Sequence, residues 1–265
     1  MPSLVWGRDP QEAFEDPYEY EAQEQFAREA SAFFARLYRV LNDIERFRYF
    51  RDDRSAQKAV WLLGMDTLDA LRDCLTSLGR KEHRLAGRLF RDAIETMDLA
   101  AYFHSGTSKS LSSLERWYDD KIVPNSEYRD YVRRTLGVEA AKILGGDYSN
   151  LSRFTHRSYR AIMDAYSLGG ETRLVHDRTA ELYGTSEDPA KFLVVPHTIA
   201  SYYAVLASLI AEYASHLPRV HLVSREAVQA AFAQSMEPET VKRRFRPARW
   251  VKKPGRFAAE ELDKE

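Results

Sequence analysis

The chain has 265 residues, of which 44% are hydrophobic and 30% charged, and its formal net charge is −1. This length and apolar content allow one substantial core and exclude a chain that is disordered throughout. A single cysteine, Cys74, excludes an intrachain disulfide bond, and the N-terminus lacks the apolar run of a secretory signal, so we expect a reducing, cytoplasmic location.

The charges are distributed unevenly between the two ends of the chain. Residues 9–24 hold seven acidic residues and no basic one, whereas residues 240–259 hold eight basic residues and no acidic one. Neither end shows a clear apolar periodicity. We therefore predict an acidic, irregular arm over 1–19, a single helical-bundle domain over 20–236 and a basic, mobile tail over 237–265.

Apolar residues recur every three or four positions along most of the central region, which is typical of amphipathic helices. The predicted fold class is therefore all-α, a helical bundle. No internal repeat is visible. The predicted helices cover about 20–49, 56–78, 81–104, 111–122, 126–136, 148–168, 198–216 and 224–234.

The region over 171–196 breaks this helical pattern. Short apolar runs flank a polar centre with Gly184 and Pro189, which favours an extended or hairpin-like excursion from the bundle. The helix that follows is the most apolar in the chain. Pro196 and Glu212 limit its apolar run to fewer than the ~20 residues that a membrane span needs, so we expect a buried core helix and no membrane association.

The predicted helix over 81–104 has distinct apolar and polar sides. Arg91 and Glu95 lie one turn apart on the polar side and can form an ion pair. Two interpretations follow: the polar side faces solvent, or another helix covers it and the pair becomes a polar element of the interface. The polar side comprises Arg88, Arg91, Asp92, Glu95, Asp98 and Tyr102.

The predicted helix over 148–168 carries the densest set of reactive groups. Ser152 and His156 lie at the border between its apolar stripe and its polar side. Imidazole can transfer a proton and guanidinium can stabilise charge that develops on a phosphate, a combination suited to phosphodiester chemistry. Hydrogen bonds between helices are the competing explanation. The candidate catalytic residues are Ser152, Arg153 and His156, and the candidate binding residues are Arg91, Glu95, Tyr148, Arg157 and Arg160.

The basic tail forms a second candidate site. It interleaves cations with aromatic residues, the composition of a surface that contacts phosphates and stacks on bases of single-stranded nucleic acid. A solubilising tail, or one that folds back on the acidic arm, would have the same composition. The candidate nucleic-acid residues are Lys242, Arg243, Arg244, Arg246, Arg249, Trp250, Lys252 and Lys253.

No cofactor or metal site is expected from the sequence. The glycine-rich phosphate-binding motifs GxxxxGK[ST] and GxGxxG are absent, as are the catalytic motifs HExxH and GxSxG. The seven histidines are scattered, and none pairs with another at the helical spacing of metal ligands. Cys74 lies on an apolar helix face and is predicted to be a core residue.

Two of the predicted helices together resemble a known group of proteins. The stretch RLFRDAIETMDLAAYF, followed by YSNLSRFTHRSY, resembles a group of uncharacterised bacterial all-helical proteins, which are similar in turn to the HEPN superfamily. The resemblance covers 85–166, under a third of the chain. It implies a helical dimer with a polar groove, in a superfamily that includes metal-independent RNases of toxin and phage-defence systems.

The chain departs from the superfamily pattern at the residues that matter for cleavage. Active members resemble one another in having an arginine followed, several residues later, by a histidine. In this chain only two residues separate Arg153 from His156, which is a shorter spacing. This departure favours binding over catalysis. Whether the protein is an enzyme is left open.

Two functional hypotheses from different classes follow. The first is a HEPN-like homodimer that binds RNA or another nucleic acid in a toxin or phage-defence setting. The second is a non-catalytic helical interaction module, a scaffold or regulator whose oppositely charged ends bind a partner protein or each other. A small-molecule pocket lined by some of the fifteen tyrosines is a third, weaker option.

Overall fold

The computed structural model describes residues 19–45, 49–80, 82–136, 166–169, 173–176, 194–235, 248–253 and 256–261. Within these residues the chain forms an all-α helical bundle, which confirms the predicted fold class, together with two short β-hairpins. The seven helices described are α1 Glu19–Glu45, α2 Ala56–Gly79, α3 His83–His104, α4 Ser108–Tyr118, α5 Asn125–Leu136, α6 Val194–Arg219 and α7 Arg225–Ser235.

Both hairpins are antiparallel pairs of short strands. In the first, β1 (Tyr166–Gly169) pairs with β2 (Arg173–His176) so that Ser167 lies opposite Val175. In the second, β3 (Ala248–Lys253) pairs with β4 (Arg256–Glu261) so that Arg249 lies opposite Glu260. The second hairpin lies within the basic tail over 237–265, called the basic stretch from here on, where the sequence predicted no regular structure.

Helix positions agree with the periodicity of the sequence except near the helix ends. The boundaries of α2, α3, α5 and α7 lie within two residues of those predicted. Helix α4 begins at Ser108 instead of the predicted 111 because Thr107 caps it, its hydroxyl accepting a hydrogen bond from the Ser110 amide at 3.2 Å. Gly79 is the last residue of α2, and the next residue, Arg80, is not in the left-handed conformation, since its φ is −94°. The Arg80 amide donates to the Thr76 and Ser77 carbonyls.

Two predictions near the excursion are wrong at their ends. The helix predicted over 148–168 does not extend to its last residues, because Tyr166–Gly169 form a strand that pairs with β2. The excursion predicted over 171–196 ends earlier than expected, because α6 already begins at Val194. Pro196 therefore lies in the first turn of α6, where a proline costs no backbone hydrogen bond.

The main core lies between α1, α2, α3, α6 and α7. It contains large side chains that are fully buried, each of which stabilises the fold by about 1.5–3 kcal/mol relative to exposure. Cys74 is buried within it, as predicted, with its thiol 3.8 Å from the Ala86 carbonyl oxygen. The largest fully buried side chains of this cluster are Phe33, Phe34, Leu37, Leu41, Leu68, Leu71, Phe90, Leu206, Tyr213 and Leu217.

A second cluster attaches α4 and α5 to α2 and α3. Tyr102 and Phe103 from the last turns of α3 meet Leu114 of α4 and Tyr128 of α5. Since α3 contributes to both clusters and packs against α2, α4, α5 and α6, it is the central helix of the described bundle. The polar groups of α3 are consequently positioned by four neighbouring helices. Among the helices described, none is both long and apolar enough to cross a membrane.

Candidate functional site

The polar side of α3 is exposed at its N-terminal half and covered at its C-terminal half. Arg88 and Asp92 are exposed, whereas Asp98 is half-buried. Tyr102 is only 1% exposed, which agrees with the interpretation that another helix covers this part of the polar side. Its ring packs against Phe103 and Tyr131, and its hydroxyl lies 3.3 Å from Ser113 Oγ. Both interpretations of this side therefore apply, each to one half of the helix.

The predicted ion pair between Arg91 and Glu95 is confirmed. The Arg91 Nε donates to Glu95 Oε1 at 3.0 Å, and the two side chains are 18% and 25% exposed. A pair of this spacing on an exposed helix stabilises it by about 0.3–0.5 kcal/mol. Its larger consequence is geometric, because the pair holds a guanidinium group in place on the border between the covered and exposed parts of α3.

One turn further along α3, Asp98 lies where α3, α5 and α6 meet. The pKa of its carboxyl is raised to about 7, mainly by burial; Arg129 of α5 and Arg219 of α6 lower the pKa, and Glu212 and Glu95 raise it. Within the part of the chain that the structure describes, the Asp98 carboxyl makes no hydrogen bond or ion pair. At neutral pH this carboxyl is therefore present both as a hydrogen-bond donor and as an anion.

The C-terminal part of α6 supplies charges to the same junction. Arg219 forms an ion pair with Glu212, and its Nε donates to the Ser215 carbonyl oxygen at 3.2 Å. These bonds use part of the five N–H donors of a guanidinium group. Arg219 can therefore keep its partners on α6 and still donate to a ligand at the junction.

Helix α5 is joined to α4 by a polar network centred on Glu127. Glu127 accepts hydrogen bonds from Ser113 Oγ at 2.7 Å and from the Arg116 guanidinium at 2.8 Å. The Ser113 hydroxyl and the Arg116 guanidinium both hold the pKa of the Glu127 carboxyl below its ordinary value. These bonds connect α4 to the first turn of α5, so we interpret the network as structural.

Three histidines lie near the C-terminal ends of α3 and α6. His216 is 4% exposed, and its Nε2 has no hydrogen-bond partner among the described residues. The pKa of His216 is lowered to about 3, mainly by burial and also by the charges of Arg219 and His104. The rings of His104 and His221 meet edge to face, with their centroids 4.9 Å apart. Burial, and to a lesser extent the charge of His221, lowers the pKa of His104. His216 and His104 are therefore neutral at physiological pH.

An acidic surface lies on the α2 side of the same face. Burial and the charge of Asp69 raise the pKa of Asp66, and a hydrogen bond from Thr96 offsets part of this rise. Burial, Asp66 and Glu95 raise the pKa of Asp92. Around α3, the arginines Arg129 and Arg219 therefore come from α5 and α6, and the carboxyls of Asp66 and Asp69 come from α2.

Most of the other predicted site residues lie outside the described residues. These are Tyr148, Ser152, Arg153, His156, Arg157 and Arg160 on one predicted face, and Lys242, Arg243, Arg244 and Arg246 in the basic stretch. Arg249, Trp250, Lys252 and Lys253 belong to β3. Of the two predicted polar faces, the structure describes the one on α3. Within the described residues no group of three or more His, Cys, Asp or Glu side chains could hold a metal ion.

Sequence reasoning missed the residues that other helices bring to α3. Arg129, Glu212, His216 and Arg219 are far from α3 in the sequence, so no local pattern connects them to it. One signal was present: Glu212, His216 and Arg219 recur at helical spacing along the most apolar helix of the chain. Such a polar stripe on an otherwise buried helix indicates a polar interface.

Comparisons with known proteins do not identify a family. No protein-family model, no curated protein and no solved structure matches this chain.

Proposed function

We propose that this protein binds RNA or another nucleic acid, as a HEPN-like homodimer acting in the cytoplasm in a toxin or phage-defence setting. The observation that carries the proposal is that three helices supply arginines near the polar side of α3: Arg91 lies on α3 itself, and the charges of Arg129 of α5 and Arg219 of α6 act on Asp98 of α3. Guanidinium groups bind phosphate oxygens in a bidentate geometry and remain charged at every physiological pH.

The basic stretch supplies a second contact in this proposal. Strand β3 contains Arg249, Trp250, Lys252 and Lys253, and follows directly after the basic residues 242–246. Cations that neutralise phosphates and a ring that stacks on a base suit a single strand of nucleic acid. The basic stretch would add affinity without sequence specificity. The polar side of α3 would position the bound nucleic acid.

Binding is the primary activity in this proposal, and metal-independent cleavage is its second, separately tested part. The short spacing of Arg153 and His156 favours binding. If cleavage occurs, His156 is the residue that we expect to move the proton, with Arg153 and Ser152 stabilising charge on the phosphate.

The experiment measures binding and cleavage of labelled single-stranded RNA in the presence of EDTA, with the wild type beside Arg91→Gln and His156→Ala. We expect Arg91→Gln to weaken binding and to reduce the slope of log Kd against log salt concentration by about one. Arg133→Gln is the matched control, because Arg133 is an exposed arginine of α5 that pairs with Asp130.

The outcomes separate the parts of the proposal. Absence of RNA binding by the wild type would refute it and favour the interaction module. Equal losses in Arg91→Gln and Arg133→Gln would show general charge attraction instead of a site on α3. Undiminished cleavage by His156→Ala would remove His156 from any catalytic role.

A further inference from the structure

We propose that His104 and His221 bind a divalent transition-metal ion of the Cu²⁺, Ni²⁺ or Zn²⁺ class where the C-terminal ends of α3 and α6 meet. His104 is the last residue of α3, and His221 lies two residues after the last residue of α6. Their imidazole rings are in contact, with the centroids 4.9 Å apart and the ring planes at 89°. This site is independent of the proposed nucleic-acid function.

The separation of the two rings matches that of two imidazoles on one metal ion. With a metal–nitrogen distance of about 2.0–2.1 Å and an angle of about 90–110° at the metal, the centroids of two bound imidazoles lie about 4.5–5.2 Å apart. Among the residues that the structure describes, neither ring makes a hydrogen bond or an ion pair. The His221 side chain is exposed, and rotation about its Cβ–Cγ bond, a broad torsion in histidine, can turn one of its nitrogens toward a metal held by His104.

The backbone at His221 has a conformation that glycine usually adopts. After α6, the Leu222 amide donates to the Leu217 carbonyl at 3.0 Å and the His221 amide donates to the Pro218 carbonyl at 3.2 Å. These two bonds define a Schellman motif, in which the residue at the position of His221 is left-handed and is most often glycine. His221 has a φ of 56°. A side chain kept in such a strained conformation is often functional, and here the strain places an imidazole against His104.

The electrostatic surroundings favour a cation between the two rings. The C-terminal end of a helix carries partial negative charge from its unpaired carbonyl groups, and two helices end here. The charge of Arg219, two residues before His221, is balanced by its ion pair with Glu212. The His104 ring is neutral at physiological pH because burial, and to a lesser extent the charge of His221, lowers its pKa. Neutral imidazole is the form that binds a metal ion.

The ligand type selects the metal. Imidazole suits Zn²⁺, Ni²⁺ and Cu²⁺, whereas Mg²⁺ prefers oxygen ligands. Since no third His, Cys, Asp or Glu of the described residues completes the site, water would fill the remaining coordination positions. The affinity should therefore follow the general order for divalent metals, with Cu²⁺ bound most tightly and Mn²⁺ most weakly.

The first measurement is isothermal titration calorimetry of the full-length protein with NiCl₂, ZnCl₂ and MgCl₂ at pH 7.5. We expect one Ni²⁺ or Zn²⁺ ion to bind per chain at this site and Mg²⁺ not to bind. Pulsed electron paramagnetic resonance of the protein loaded with one equivalent of Cu²⁺ counts the coordinated imidazoles. It should detect two in the wild type.

His221→Gly is the informative variant, because it removes one imidazole and suits the left-handed backbone. Without metal, its thermal unfolding midpoint should be a few degrees higher than that of the wild type. Its affinity for Ni²⁺ should fall at least tenfold, since loss of a group that only orients a metal ligand already costs about 10–100-fold. His104→Gln should lose as much affinity. His83→Gln, at the other end of α3, is the matched control and should bind as the wild type does.

Addition of Ni²⁺ should reverse the order of stability. At a concentration about 100 times the Kd, Ni²⁺ should raise the unfolding midpoint of the wild type by about 5–10 °C and leave that of His221→Gly nearly unchanged. A histidine with only a structural role would not produce this reversal.

Three results would overturn the site: no binding of Ni²⁺ or Zn²⁺ by the wild type, an affinity that His104→Gln and His221→Gly leave unchanged, or Mg²⁺ binding as tight as that of Ni²⁺. The last result would indicate a site built from carboxylates. A count of two imidazoles on Cu²⁺ in the wild type, reduced to one in each of the two variants, would establish His104 and His221 as the ligands.

Discussion

Asp98 lowers the stability of the folded protein at neutral and alkaline pH because its environment disfavours the ionised carboxyl. Its folded pKa of about 7 lies above the unfolded value of about 3.9. The folded state therefore holds the proton more tightly, and stability falls as the pH rises from about 4 to about 7. A carboxyl retained at a stability cost is often a functional group.

Asp98→Asn should therefore stabilise the protein at high pH. We expect the free energy of unfolding of the variant to exceed that of the wild type by about 2–4 kcal/mol at pH 8 and to match it within about 1 kcal/mol at pH 4. Urea unfolding at pH 4, 6 and 8 measures this difference. Parallel pH profiles for the two proteins would contradict the assignment of a raised pKa to Asp98.

His216 has the opposite effect on the pH profile. Its folded pKa of about 3 lies below the unfolded value of about 6.5, so its contribution to stability is complete above pH 6.5 and is lost as the pH falls toward 3. Because its Nε2 has no partner among the described residues, an apolar replacement leaves no buried polar group. His216→Leu should reduce the loss of stability between pH 7.5 and pH 5.5 by about 1 kcal/mol.

The measurement is chemical unfolding of His216→Leu across that pH range. His221→Gln is its control, because His221 is exposed and its replacement should leave the acid sensitivity close to that of the wild type. If both variants lose the same part of the pH dependence, the burial of His216 is not its cause.

At the scale of elements, α2 is approached closely at Gly64 by side chains of α6 and of the turn after it. A Cβ atom at Gly64 would lie 2.9 Å from Leu222 Cδ1, and the Tyr213 hydroxyl donates to the Gly64 carbonyl oxygen at 2.6 Å. Helix α6 and the turn after it therefore pack directly on the backbone of α2. Both contacts hold α6 and the turn after it against α2.

Gly64→Val should destabilise the protein by about 2 kcal/mol, because the added methyl groups displace the Leu222 side chain and crowd the Tyr213 hydroxyl. Gly79→Ala is the matched control on the same helix, since a Cβ there meets nothing within 4 Å. The control should be neutral or stabilise by up to about 1 kcal/mol through its higher helix propensity. Thermal unfolding of both variants tests this, and a Gly64→Val variant as stable as the wild type would refute the close approach.

At the scale of the whole molecule, the core and the basic stretch are predicted to be separable. The two core clusters comprise residues from Phe26 to Ala231, all of which precede the basic stretch. We expect deletion of 237–265 to leave cooperative thermal unfolding with a midpoint within a few degrees of that of the full chain. RNA affinity should fall, with a smaller salt dependence, because phosphate contacts are lost.

The same truncation distinguishes the two functional hypotheses. Loss of RNA affinity supports the proposed nucleic-acid function. Unchanged RNA affinity, with loss of a protein partner that co-purifies with the full chain, would favour the interaction module. A large drop in the unfolding midpoint would show instead that the hairpin of β3 and β4 belongs to the folded body.

Interactions between residues close in sequence could be predicted from the sequence alone. The periodicity of α2, α3, α5 and α7 follows from 3.6 residues per turn, so their positions agree with the structure. The Arg91–Glu95 pair spans one turn of a single helix and was predictable for the same reason. The burial of Cys74 followed from its place on an apolar helix face.

Tertiary packing decided the rest. Arg129 and Arg219 are separated from Asp98 by long stretches of chain, and their electrostatic effect on its carboxyl depends on which faces of α5 and α6 pack on α3. Strand β1 lies where the sequence predicted the end of a helix, and β3 lies where it predicted an irregular tail. Each strand is stabilised by hydrogen bonds to a second segment, which the local sequence pattern does not reveal. Sequence alone determined the positions of α2, α3, α5 and α7 and which side of α3 is polar. The structure determined that half of this side is covered, which is the physical reason that Asp98 titrates near neutral pH.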